Sequence, residues 1–162
     1  MIMVEPYTKE KIKFAIEIWN EVVRDGIAFP QENELDEVEG DKFFKSQSFT
    51  GLAEDTENKK IVGIYILHPN NVGRCGHISN ASYAVKKNLR GKHIGEIIVK
   101  HSIEKARELG FKILQFNAVV AENIHARNLY KRLGFVELGT IPQGFRMADG
   151  NFVDIVPQYI LL

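Results

Sequence analysis

Residues 82–109 read SYAVKKNLRGKHIGEIIVKHSIEKAREL, and the fold follows from how this stretch divides. Tyr83, Ala84 and Val85 suit a strand end, Lys86 to Ile94 a short loop, and an amphipathic helix runs on to Leu109. Ile94, Ile97, Ile98, Ile103, Ala106 and Leu109 supply that helix's apolar face. The loop carries Lys86, Lys87, Arg90 and Lys92, together with Gly91 and Gly95. A strand, a basic glycine-bearing loop and a helix start make an anion site. The first N–H groups of a helix lack intrahelical acceptors, and the helix dipole is positive there. The stretch therefore predicts a bound diphosphate. RGKHIG is neither a Walker A sequence nor GxGxxG, so an NTPase or a Rossmann dinucleotide fold is not supported. Taken alone, Gly91 and Gly95 are equally read as a tight strand-to-helix turn.

Working outward, Thr50 to Glu54 and Ile61 to Leu67 flank a polar turn, and a third strand spans His77 to Val85. These three strands predict an antiparallel meander. Gly110 closes the pivotal helix, and the apolar run Phe111 to Val120 reads as a buried strand parallel to the one before that helix. A right-handed crossover joins the two. Upstream, Ile2 to Glu5 is a short strand, and Thr8 is placed as the N-cap of a helix from Lys9 to Arg24. That helix carries the stripe Ile12, Ala15, Ile16, Trp19, Val22 and Val23, which makes Trp19 a core residue. A more polar helix covers Leu35 to Phe44. Downstream, a helix from Asn123 to Leu133 is closed by Gly134. Strands at Phe135 to Ile141 and Phe152 to Leu162 follow, separated by a long turn-rich connection. The order β α α β β β α β α β β describes one α/β domain, residues 1–162, with a mixed sheet.

Composition narrows the function. The chain of 162 residues is 44% hydrophobic and 26% charged, as in ordinary soluble domains. Lys+Arg and Asp+Glu balance at 21 each, which argues against bulk nucleic-acid binding. An acidic run from Gln31 to Asp41 reads either as a solvated helix face or as a wall that draws in a cationic substrate. One cysteine, Cys75, allows no internal disulfide, and no apolar run approaches a membrane span, so the expected location is cytoplasmic. His68, Cys75 and His77 match no zinc spacing.

A second motif, ENIHARNLYKRLGF, decides what carries the diphosphate. Asn123 and Tyr130 lie seven positions apart, on one helix face and ~10.5 Å apart along the axis. By itself Asn123 is also an N-cap residue, and Tyr130 also a member of the stripe Ile124, Leu129, Tyr130, Leu133. RGKHIG after a strand ending in Ala-Val, followed some 30 residues later by AEN and LYxxLGF, resembles the Gcn5-related N-acetyltransferase (GNAT) family over the whole chain. The strand HISNASYAV resembles the phosphinothricin and azetidine-2-carboxylate N-acetyltransferase branch.

The resemblance implies a mixed, mostly antiparallel sheet of six to seven strands flanked by about four helices. It implies acetyl-CoA as cosubstrate, no metal, a small amine or amino-acid substrate and, as in many such enzymes, a homodimer. The diphosphate would lie on the loop Arg90, Gly91, Lys92, His93, Ile94 and Gly95, where His93 replaces the family's usual glycine. Ala84 and Val85 match the strand end that pairs with the pantetheine arm and holds the thioester oxygen. Asn123 matches the asparagine on the pantetheine, and Tyr130 the tyrosine that protonates the departing thiolate. Phosphinothricin-type relatives commonly carry a glutamate where Asn80 stands here. Asn80 is therefore a substrate-site candidate, with a strand-bulge asparagine as the alternative. Glu34 is a second substrate-site candidate. The general base stays open between Glu34, Asp36 and a water chain, and Asp154 is read either as acceptor lining or as a flank of the sheet. Two other functions share these motifs: acetylation of a protein lysine or N-terminal amine, and a non-catalytic acetyl-CoA-binding regulatory module.

Overall fold

Apolar residues at helical and strand periods sort onto two faces of one sheet in the computed structural model, which describes residues 1–162. Strand β1 (Ile2–Pro6) leads through a 3-10 turn into helix α1 (Ile12–Asp25), followed by α2 (Glu37–Ser46). The meander β2 (Phe49–Asp55), β3 (Lys60–Pro69) and β4 (Ile78–Val85) comes next, then α3 (Ile94–Glu108), β5 (Ile113–Phe116) and α4 (Ile124–Arg132). Four short strands close the chain: β6 (Val136–Glu137), β7 (Ile141–Arg146), β8 (Phe152–Ile155) and β9 (Gln158–Leu161).

Seven strands form the main sheet in the order β1-β2-β3-β4-β5-β9-β6, and β7-β8 is a separate hairpin. All its pairs are antiparallel except β4 with β5. Mixed sheet, mostly antiparallel order and four α-helices agree with the expected architecture. On one face Ile18, Trp19 and Val22 of α1 and Phe44 of α2 pack on Leu52, Ile64, Ile66 and Ala84. On the other, Ile94, Ile98 and Ile103 of α3 pack on Tyr65, Leu67, Ala81 and Leu114. The helices thus bury opposite sides of the same alternating strands. No helix is long and apolar enough to cross a membrane.

Several boundaries differ from expectation. Thr8 makes no side-chain capping bond, because a 3-10 turn at Lys9–Lys11 precedes α1. Helix α2 starts two residues late, since Asp36 takes the N-cap and accepts from Glu39 N at 2.7 Å. Leu109 sits just beyond α3 and is exposed, and Val99 is buried in its place. The ten-residue strand expected at 111–120 shrinks to Ile113–Phe116, because the chain leaves the sheet after Phe116. The turn-rich connection is in fact the β7-β8 hairpin, and Pro157 separates β8 from β9.

Candidate active site

The parallel pair β4/β5 is joined at only two positions, Ile78 with Ile113 and Ser79 with Leu114. Beyond them the strands separate into a V, and side chains replace the backbone ladder at its apex. Ser79 Oγ donates to Ile113 O at 2.8 Å, and Asn80 Nδ2 donates to Gln115 O at 2.8 Å. From Ala81 to Val85 the edge of β4 that faces β5 has no strand partner.

A cavity of about 1130 Å³ passes through the V from one face of the sheet to the other. On the α3 side it is lined by Arg90, Gly91, His93 to Glu96, Asn123, His125, Leu129, Tyr130 and Arg132. On the α1 side it is lined by Asp25, Ile27 to Pro30 and Met147, with Asn80, Ser82 and Asn117 between the two. That volume is at the top of the range for a single small-molecule site and leaves room for two ligands.

The basic loop is positioned by a row of acids. Glu17, Glu21 and Asp25 stand four residues apart on one face of α1. Lys86 Nζ donates to Glu17 at 3.0 Å and Lys87 N to Glu21 at 3.1 Å. Asp25 takes Lys87 Nζ at 3.1 Å and Arg90 Nη2 at 3.6 Å. His93 occupies the N-cap position of α3 with φ 61° and ψ 8°, the left-handed conformation that favours glycine. Its side chain is 82% exposed. Gly95 has no such backbone need: its φ is not positive, and a Cβ there would meet no atom within 4 Å. The fold does not require a glycine at 95. Glu96, in the first turn, is held below the usual carboxylate range by bonds from Lys100 and Arg132.

Asn123 caps α4, its Oδ1 accepting from Ala126 N at 3.2 Å, and its amide NH₂ has no partner within the chain. Tyr130, one turn from the helix end, packs against Phe116 at 4.6 Å and Phe135 at 5.6 Å between ring centroids. Its hydroxyl has no intramolecular partner, and burial pushes the phenol up to about 12. Neighbouring Tyr83 is also pushed up by burial, but its hydroxyl is engaged with Ser102 Oγ at 2.7 Å.

The cavity gathers Asn80, Ala84, Val85, Arg90, Gly91, His93, Ile94, Gly95, Asn123 and Tyr130, all of which the sequence had nominated. Lys92 points away into solvent and does not line it. Glu34 is not brought to the cavity; it forms an ion pair with Arg24. Asp36 is a helix cap, and Asp154 accepts from Gln143 N within the hairpin. The acidic run is thus spent on local structure. No group of three or more His, Cys, Asp or Glu side chains is placed to hold a metal ion. Sequence reading missed Asp25 at the end of α1, Phe29 and Pro30 in the loop after it, and Met147 in the β7-β8 hairpin, far away in the chain.

Residues 15–135 match the sequence model of the acetyltransferase (GNAT) family. N-acetyltransferase aca1 of Schizosaccharomyces pombe is 35% identical over 95 residues, 58% of this chain and 46% of that protein, so the match spans under half of that relative. A GCN5-related N-acetyltransferase from Kribbella flavida superposes with a TM-score of 0.90 at 26% identity, covering 99% of this chain and 98% of the other. A phosphinothricin acetyltransferase from Sinorhizobium meliloti, solved in complex with acetyl-CoA, superposes with a TM-score of 0.90 at 19% identity, covering 99% and 88%.

Proposed function

Because the chain belongs to the acetyltransferase (GNAT) family, matched over residues 15–135, we propose that it transfers the acetyl group of acetyl-CoA to the amine of a small amine or amino-acid-like substrate, directly between two bound partners. The observation that carries this reading is the cavity through the V of β4 and β5, with the unpartnered hydroxyl of Tyr130 in its wall. A cosubstrate can enter from the α3 face and an amine from the α1 face, and the two can meet within the sheet. Under this reading residues 1–162 form one N-acetyltransferase domain working in the cytoplasm.

The residues present fit acetyl-CoA. The N–H groups from Gly91 to Gly95, at the start of α3, would hold the diphosphate, and the bare Cα of Gly95 leaves space that a Cβ would occupy and that nothing in the chain fills. The unpaired edge of β4, ending in Ala84 and Val85, offers hydrogen bonds to a pantetheine arm. The free amide NH₂ of Asn123 serves the same arm.

When bound, acetyl-CoA supplies an acetyl group activated as a thioester. The backbone N–H at Val85, on the unpaired edge of β4, would hold the carbonyl oxygen, where preorganised donors typically contribute ~10²–10³ in rate. Tyr130 keeps its proton throughout the physiological range and would offer its hydroxyl as a hydrogen-bond donor to the thioester sulfur. Full transfer to a thiolate, whose thiol titrates near ~8.5, is uphill from a phenol near 12. The hydroxyl therefore acts chiefly by hydrogen bonding to the developing charge. Asn80, with Nδ2 committed to Gln115, presents Oδ1 to an incoming amine.

The test is calorimetric titration with CoA, followed by release of free thiol from acetyl-CoA on a panel of amines. Binding with turnover is expected. Absence of CoA binding refutes the reading, and tight binding without turnover on any amine turns it into a non-catalytic CoA-binding module.

A further inference from the structure

On the α1 face the cavity runs between two segments clasped to each other, and each cation near it is already paired with a carboxylate. We propose that the acceptor is a small primary amine with an uncharged, apolar body, and that the site rejects both the corresponding α-amino acid and a polypeptide N-terminus. This deepens the acetyltransferase reading and rests on it.

The closure comes from two segments pinned to each other. The loop between α1 and α2 is clipped at its root by buried Asn20, whose Nδ2 donates to Leu35 O and whose Oδ1 accepts from Leu35 N, both at 2.9 Å. An ion pair between Arg24 and Glu34 closes the same root. The far side of the loop meets the tip of the β7-β8 hairpin. Ala148 N donates to Gly26 O at 2.9 Å, and Arg146 pairs with Glu32. The backbones approach so closely that a Cβ at Gly26 would lie 2.5 Å from Ala148 Cβ. The contact bridges the gap between loop and hairpin, and a polypeptide crossing this face through that gap would have to break it.

The chemistry inside the compartment is apolar with three neutral polar groups. Phe29, Pro30 and Met147 line it from the loop and hairpin. Strand alternation adds Asn80, Ser82 and Asn117: Ala84 of the same parity packs on the α1 side, whereas Ala81, Leu114 and Phe116 pack on the α3 side. Asn117 is already bonded to Asn70 and Gln115, which leaves Asn80 Oδ1 and the Ser82 hydroxyl as open acceptors for an N–H. The charged side chains here are Asp25 and Arg90, paired with each other, and Asp25 also holds Lys87. The outer cations Arg24 and Arg146 are held by Glu34 and Glu32. A substrate carboxylate would have to compete with Asp25 for Arg90, whereas an apolar body gains by burial.

The experiment uses the full chain with acetyl-CoA and matched acceptors: 2-phenylethylamine against L-phenylalanine, isopentylamine against L-leucine, and the tripeptide Phe-Gly-Gly. Each amine should exceed its amino acid in kcat/KM by ~100-fold or more, with the tripeptide below detection. Met147→Arg, which adds a cation to the compartment, should narrow the amine-to-amino-acid ratio at least ~10-fold, with CoA affinity as the control. Equal or better use of the amino acids, or turnover of the tripeptide, overturns the proposal and leaves the acetyltransferase reading standing; CoA binding without turnover of any amine refutes that parent reading and this one with it. Failure to bind CoA at all refutes the parent reading and this one with it.

Discussion

Gly95→Ala separates a glycine kept for the fold from one kept for a ligand. Gly95 is the second residue of α3, its φ is not positive, and an added Cβ meets nothing within 4 Å. Within the chain, the substitution only removes the entropy that glycine loses on entering a helix, a gain of ~0.5–1 kcal/mol. For a domain of this size that raises Tm by about 1–4 °C. The same methyl group projects into the space assigned to the diphosphate. Loss of one charge-assisted hydrogen bond there costs ~1.5–3 kcal/mol, or about 10- to 150-fold in CoA affinity. The assay is a melting curve with and without CoA, together with titration calorimetry on both proteins. The variant should be the more stable protein alone and the weaker binder. A fall in the ligand-free Tm, or an affinity within threefold of the parent, refutes the reasoning. Gly26→Ala is the contrasting case: φ 59° and the 2.5 Å approach to Ala148 predict a lower Tm.

Tyr130→Phe removes a hydroxyl with no intramolecular partner, so Tm should hold while kcat falls ~10²-fold and CoA affinity changes little; an unchanged kcat removes Tyr130 from its role. The raised phenol also predicts alkaline sensitivity. Between pH 10 and 12 the unfolded tyrosine ionises first, so stability present below pH 10 is lost as pH rises, on the order of 2 kcal/mol from this residue. Urea midpoints at pH 9 and 11.5 should show a smaller drop in the phenylalanine variant, and identical drops contradict it. His93→Gly relieves a left-handed histidine whose side chain is in solvent, so stability should stay level or rise by up to ~1 kcal/mol and CoA affinity should stay within about threefold; a tenfold affinity loss would make the imidazole a phosphate donor. Gln158 is fully buried with neither amide atom bonded, so Gln158→Met should stabilise by ~1–3 kcal/mol in thermal unfolding, and a lower Tm refutes the orphaned-amide reading.

What the sequence revealed was local in origin. The loop from Lys86 to Gly95, its helix, and the pairing of Asn123 with Tyr130 on one face all depend on spacings of a few residues. What it concealed depends on contacts across long separations. Glu17, Glu21 and Asp25 look like any solvated helix face until residues 86–90 are folded onto them. Asn20 stands among apolar neighbours on α1 and was the one polar irregularity that could have signalled the clipped loop. Phe111 to Val120 is uniformly strand-like, yet pairing stops at Phe116, because separation from β4 is a property of the pair and not of either strand. Pro142 and Gly144 suggested a loop, although the hairpin accommodates both through an irregular register between Ile141 and Phe145. Glu34 misled because charge density says nothing about which cation lies opposite.

The acidic row on α1 also changes how this site should respond to ionic strength. Free cations gather anions from solution, and a phosphate ligand that expels them binds less tightly as salt rises. Lys86, Lys87 and Arg90 carry their counter-anions as carboxylates of their own chain. A phosphate that drew on Arg90 would displace Asp25 and not chloride, an intramolecular ion exchange that would release few ions to the bulk. Three of the loop's four cations are thereby expected to respond to salt less than the sequence suggests, whereas Lys92, with no carboxylate partner, keeps the ordinary response.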